Sequence, residues 1–103
     1  LAETIIEQER QKWSKQYRAL AAVDTIRAFR SSIESIRDAE IEKALTALDR
    51  GQDSEDVINM LARNLTNKLL HKPTTRLKQA SEEGRDDAIN ATKDLFDLNK
   101  NEH

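Results

Sequence analysis

Apolar residues recur along this chain at three- and four-residue steps, the spacing that lines one face of a helix. In residues 1–20 they are Leu1, Ile5, Ile6, Trp13, Tyr17 and Leu20, with Glu9 and Arg10 interrupting the stripe. Nothing stops this predicted helix sharply. Val23-Asp24 nevertheless reads as a fresh start, because an Asp side chain can accept from the free N–H groups of a first turn and Val23 can staple it. A second helix is predicted from about Thr25 to Asp49. Ile26, Phe29, Ile33 and Ile36 form its seam, which resumes beyond Glu40 at Ile41, Ala44, Leu45 and Leu48. Gly51 ends it, as the residue that most readily takes the left-handed conformation after a helix.

The third helix has the clearest start. Asp53 or Ser54 caps it, Glu55 and Asp56 put negative charge in its first turn, and Val57, Leu61, Leu65 and Leu69 follow at four-residue steps. Ile58, Ala62 and Leu70 flank that line. Pro73 has no N–H and disfavours helical geometry at Lys72, so the helix is expected to end or kink there. Pro73 then opens a short fourth helix to about Glu83, with Leu77 and Ala80 on its apolar face and Gly84 closing it. A last helix, Arg85–Leu98, carries Ala88, Ile89, Leu95 and Phe96, before a frayed polar tail at Asn99–His103. The expected class is all-α: a helical bundle with a long N-terminal helix and about four helices after it.

Composition narrows this further. The chain has 103 residues, 35% of them charged, with two Gly, one Pro and four aromatics. Few turn formers and abundant straight side chains favour helices with scarce connections. A domain of this length buries only about two thirds of its unfolded surface. Apolar stripes on long charged helices need more partner surface than one such chain supplies, which favours self-association. The net charge of −2 provides no global pull towards polyanions or anionic lipid. No apolar run approaches the roughly 20 residues that span a bilayer, and residues 1–20 lack the apolar centre of a signal peptide. The absence of cysteine excludes a disulfide framework and a thiol nucleophile. These features fit a cytoplasmic protein, and a start at Leu1 in mid-pattern suggests an excised fragment.

One stretch stands out electrostatically. Val57–Ser81 holds Arg63, Lys68, Lys72, Arg76, Lys78 and His71 with no acidic residue, leaving 12 basic against 19 acidic residues elsewhere. It reads either as a phosphate-facing patch or as Lys68, His71 and Lys72 opposing the negative end of the third helix's dipole. No aromatic lies within it to stack on a base. His71 has no second His or Cys within helical reach, so a metal site or a general base is not expected there. Asn64-Leu65-Thr66 and Asn90-Ala91-Thr92 match the glycosylation triplet but fall inside predicted helices. Asn64, Thr66 and Asn67 sit beside the leucine stripe, where a polar side chain either sets register or faces water. No Gly-rich phosphate loop, nucleophile elbow or zinc motif is present.

The run Leu65-Thr66-Asn67-Lys68-Leu69-Leu70-His71-Lys72-Pro73-Thr74 closely resembles a motif near the C-terminus of glutamyl-tRNA reductases. Its flanks agree: Ile26-Arg27-Ala28-Phe29-Arg30, Glu34, Ile36-Arg37, Glu40-Ile41, Leu77, Gly84 and Leu95-Phe96-Asp97-Leu98 resemble the same family. Asp24 departs from it, standing where many relatives have Pro. The resemblance implies that residues 1–22 end a long spinal helix, that residues 23–100 form a helical dimerisation domain, and that 101–103 are a flexible tail. It also implies a parent enzyme that uses NADPH to reduce glutamyl-tRNA to glutamate-1-semialdehyde for tetrapyrrole synthesis. The catalytic and nucleotide-binding residues of that enzyme lie in other domains, so no catalytic residue, cofactor site or metal site is expected in this chain.

The leading expectation is therefore a homodimer with Ile33, Ile36, Leu61, Leu65 and Leu69 as apolar contacts and Asn67 as a specificity element. A second reading has Lys68, Lys72, Arg76 and Lys78 touching tRNA phosphates. A third is a generic helical adaptor that binds another protein's helix.

Overall fold

The computed structural model describes residues 2–101. They form three α-helices and a short 3-10 turn: α1 (Ala2–Asp49), α2 (Ser54–Glu82), α3 (Asp86–Leu95) and a 3-10 segment at Leu98–Asn101. By internal contact the chain divides into two compact units, Leu1–Ala39 and Glu40–His103. In the first, the described residues are exposed apart from half-buried Ile33, Glu34 and Ile36. The second contains the interior.

Two predicted boundaries are absent. The expected break at Val23-Asp24 does not occur, and α1 runs unbroken through both residues. A cap is useful only where a helix has already stopped, and Ala21 and Ala22 give no reason to stop. Pro73 likewise fails to separate two helices, because α2 continues through it to Glu82. The proline removes one backbone donor, at a cost of about 3 kcal/mol in a helix interior. Leu69, Leu70 and Lys72 before it and Arg76, Leu77 and Lys78 beyond Thr74-Thr75 are strong helix formers, so the expected fourth helix is the C-terminal part of α2. Of the expected tail, Asn99–Asn101 belongs to the 3-10 segment, while Glu102 and His103 lie outside the described residues.

The helix ends were better marked. Asp53 caps α2, its Oδ2 accepting from the Asp56 N–H at 3.2 Å. Gly51 stands just past α1 with φ +85°. Its N–H donates to the Leu48 carbonyl at 3.0 Å, and the Gln52 N–H reaches back to the Ala47 carbonyl at 3.1 Å. This pair of bonds satisfies carbonyls that a helix end otherwise leaves free. Gly84 repeats the device after α2 at φ +71°, with Arg85 donating to Ala80 at 2.8 Å. After α3 the left-handed position falls to Asp97, at φ 56°.

The turn at Gly51 brings the end of α1 against the start of α2. Ala44, Ala47 and Val57 form the core there, with Met60 and Leu61 packed on it. Ala80, the most buried of the described residues at 1% exposure, lies near the other end of α2, against which α3 packs. Glu40 is also buried, and its Oε1 accepts from the Lys43 ammonium at 3.3 Å.

Two substitutions test this account, each read from urea unfolding at fixed protein concentration. A Cβ at Gly51 would meet nothing within 4 Å, so Gly51→Ala should lose only the backbone term, about 1 kcal/mol. No loss of stability would show that the left-handed residue is not a constraint. Pro73→Ala restores a donor to the Leu69 carbonyl and should raise stability by roughly 1–3 kcal/mol with a gain in helical dichroism. A destabilised Pro73→Ala variant would mean that the proline holds a bend the fold requires.

Candidate functional site

The residues singled out from sequence fall on α1 and α2. Ile33 and Ile36 are half-buried on α1, and Leu61, Leu65 and Leu69 are half-buried on α2. Asn67, Lys68, His71, Lys72, Arg76 and Lys78 are exposed. Four-residue steps along a helix advance the side chain by about 40°, so residues at that spacing form a gently turning ridge. On α2 one such ridge is apolar: Val57, Leu61, Leu65, Leu69, Pro73 and Leu77. A second runs beside it, displaced by one residue: Asn64, Lys68, Lys72 and Arg76. Neighbouring residues differ by about 100° around the axis, but residues seven apart differ by only about 20°, so Lys68, Lys72 and Arg76 overlook nearly the same side as Leu61, Leu65 and Leu69, two turns further along.

Much apolar surface is left open. On α1, Trp13, Tyr17 and Leu20 are 70%, 76% and 68% exposed. Ile26 and Phe29 are exposed as well, although they continue the line of Ile33 and Ile36. The stripe expected at Ile41, Ala44, Leu45 and Leu48 is divided. Ala44 is buried with Ala47, while Ile41, Leu45 and Leu48 face outward. Sequence reading missed Ala47 and the burial of Glu40. Both sit at the same three- and four-residue spacing from Ile36, so the periodicity held the signal, but a charged residue seemed to break the stripe. Ile58 and Leu70 on α2 are exposed too.

The basic stretch changes meaning in the folded chain. Because α2 extends to Glu82, Lys68, His71 and Lys72 stand at least ten residues before its end. The helix has no basic residue in its last turn. Dipole complementarity acts only within that turn, so it does not account for these charges. Asn64, Asn67, Lys68 and His71 line a shallow open groove of about 280 Å³. Among the described residues there is no group of three or more His, Cys, Asp or Glu able to hold a metal ion. No described helix is long and apolar enough to cross a membrane. Both glycosylation-like triplets lie in helices, with the Thr66 and Thr92 hydroxyls donating to the Ala62 and Ala88 carbonyls at 2.9 Å.

The family model described as the glutamyl-tRNA(Glu) reductase dimerisation domain matches residues 1–98. A glutamyl-tRNA reductase from Teredinibacter turnerae is 46% identical over 97 residues, covering 94% of this chain and 23% of the relative. One from Pseudomonas putida is 46% identical over 99 residues, covering 96% and 23%. Another, from Pseudomonas fluorescens, is 52% identical over 81 residues, covering 79% and 19%. The chain thus spans about a quarter of the length of these curated relatives. No solved structure matches it. A match over residues 1–98, together with relatives that agree along nearly the whole chain, places this chain in the glutamyl-tRNA reductase dimerisation-domain family.

Proposed function

We propose that this chain joins two copies of its parent protein, a glutamyl-tRNA reductase, into a homodimer. The observation that carries this reading is the apolar surface one chain leaves uncovered. Apart from Val57, the buried apolar residues among those described are alanines, while the described isoleucines, leucines and aromatics stay exposed or half-exposed. Covering apolar surface gains about 25 cal/mol per Å², less the cost of ordering two chains. A second copy that covers the α2 ridge recovers that energy, and Ile33 and Ile36 of α1 are apolar contacts of the same kind in this reading. Leu61, Leu65 and Leu69 are the central contacts in this reading. Asn67 lies about 160° around α2 from Leu65, so its part is that of a polar register element on another flank of the contact.

The division of labour follows the family. Residues 1–22 act as the end of a spinal helix and residues 23–100 as the dimerising part. The parent reaction is NADPH-dependent reduction of the glutamyl group on its tRNA to glutamate-1-semialdehyde, in the cytoplasm, at the entry to tetrapyrrole synthesis. Reduction takes place in other domains, and this chain contributes the pairing of subunits.

Light scattering tests the reading directly. The 11.8 kDa chain should give twice its mass at micromolar concentration. Leu65→Asp, which puts a carboxylate against an apolar partner, should weaken association at least a hundredfold, about 2.7 kcal/mol. A chain that stays monomeric at high micromolar concentration overturns the proposal, as does a Leu65→Asp variant that pairs as well as the parent sequence.

A further inference from the structure

We infer that a second copy seats on a two-helix face, Ile41, Leu45 and Leu48 at the end of α1 beside Ile58, Leu65 and Leu69 of α2. The inference rests on the dimer reading above and deepens it. It adds the end of α1 and Ile58 to the α2 ridge, so that the interface is one helical hairpin laid on another.

The geometry follows from the core beside the turn. Val57, Met60 and Leu61 of α2 meet Ala44 and Ala47 of α1, and the turn at left-handed Gly51 folds one helix back on the other. Each residue advances the side chain by about 100° around its axis. Counted from the Ala44–Ala47 direction, Ile41, Leu45 and Leu48 lie about 70–130° round α1. Counted from the Val57–Leu61 direction, Ile58, Leu65 and Leu69 lie about 70–130° round α2, in the same sense along the chain. The two helices run in opposite directions, so that sense is reversed between them when both are viewed from one end. Both triplets therefore look out on the same side of the hairpin.

Exposure and charge identify the occupant. Leu45 and Ile58 are 58% and 63% exposed, and Ile41 and Leu48 are exposed as well. No charged side chain falls in either arc between Glu40 and Leu69. Glu40 is buried, while Glu42, Lys43 and Asp49 lie elsewhere around α1. Lys72 and Arg76 are the first charges in the α2 arc, and they bound the face as the polar rim bounds an interface. A twofold axis sets a face against its own copy, so any charge near the axis meets its like. An apolar face without charge suits that pairing. It is also continuous with Leu61, Leu65 and Leu69, the contacts of the dimer reading.

Sedimentation equilibrium of the whole chain and of three single variants tests the face. Leu45→Asp and Ile58→Asp each place a carboxylate in it and should raise the dimer dissociation constant at least about tenfold. Leu70→Asp is the control: Leu70 is as exposed as Leu45 but lies about 120° round α2 from Ile58, and its loss should change pairing less than about threefold. Helical dichroism should match the parent chain in all three. Leu45→Gln and Ile58→Gln carry no charge and should follow the same order with a smaller effect, which keeps the test decisive if an Asp variant loses helix. A parent chain that stays monomeric at high micromolar concentration removes this inference together with the dimer reading. A dimer weakened by Leu65→Asp but indifferent to the Leu45 and Ile58 variants keeps that reading and overturns this inference, since something other than a second copy then covers the face. An equal loss in Leu70→Asp overturns it as well.

Discussion

The packing of Val57 against Ala44 and Ala47 is the contact on which this fold's interior rests. Small side chains let α1 and α2 come together, and the left-handed Gly51 turns the chain sharply enough to let them meet at once. Small side chains also bury little area. At about 25 cal/mol per Å², a pair of alanines contributes far less than a pair of leucines. The chain therefore gains a defined turn between its two long helices without gaining a large core. Its bigger apolar residues remain available to something else.

That economy explains why helix formation carries so much of the structure. With little tertiary burial, local terms decide: propensity along α1, the Asp53 cap, and the paired carbonyl bonds after Gly51 and Gly84. Surface charge adds only a little. The ion pairs Arg37–Asp38 and Arg85–Glu83 are half exposed and in water contribute less than about 1 kcal/mol each.

Reading from sequence succeeded where a residue's effect is local and failed where cooperativity overrides it. Gly51, Asp53 and Gly84 act through their own backbone or side chain, and each stands where expected. Asp24 and Pro73 were read by the same local rules, yet neither ends a helix. An Asp with helical residues on both sides exposes no free N–H groups to cap. A proline's lost bond is shared across a helix of 29 residues. At the candidate site, the apolar ridge Leu61–Leu65–Leu69 was visible as a four-residue period. The cationic ridge beside it was visible only as composition, because its alignment depends on α2 continuing past Lys72. Glu40 was the hardest to see, since burial of a carboxylate contradicts its type, and only the spacing from Ile36 to Ala44 hints at it.

The uninterrupted passage of α2 through Pro73 has a dynamic consequence. The Leu69 carbonyl has no amide donor four residues on, so the hydrogen-bond ladder of the helix is cut at one rung. Opening of a helix spreads until it meets a turn held by packing, and such gaps divide a protein into units that exchange their amides separately. The stretch from Thr74 through α3 would then open as one unit while the α1–α2 turn stays closed. Arg76 belongs to the part that opens, whereas Lys68 and Leu65 belong to the part that stays. A single helix thus has one interior rung at which the exchange of its two halves can separate, although each half is anchored by a buried residue, Val57 in one and Ala80 in the other.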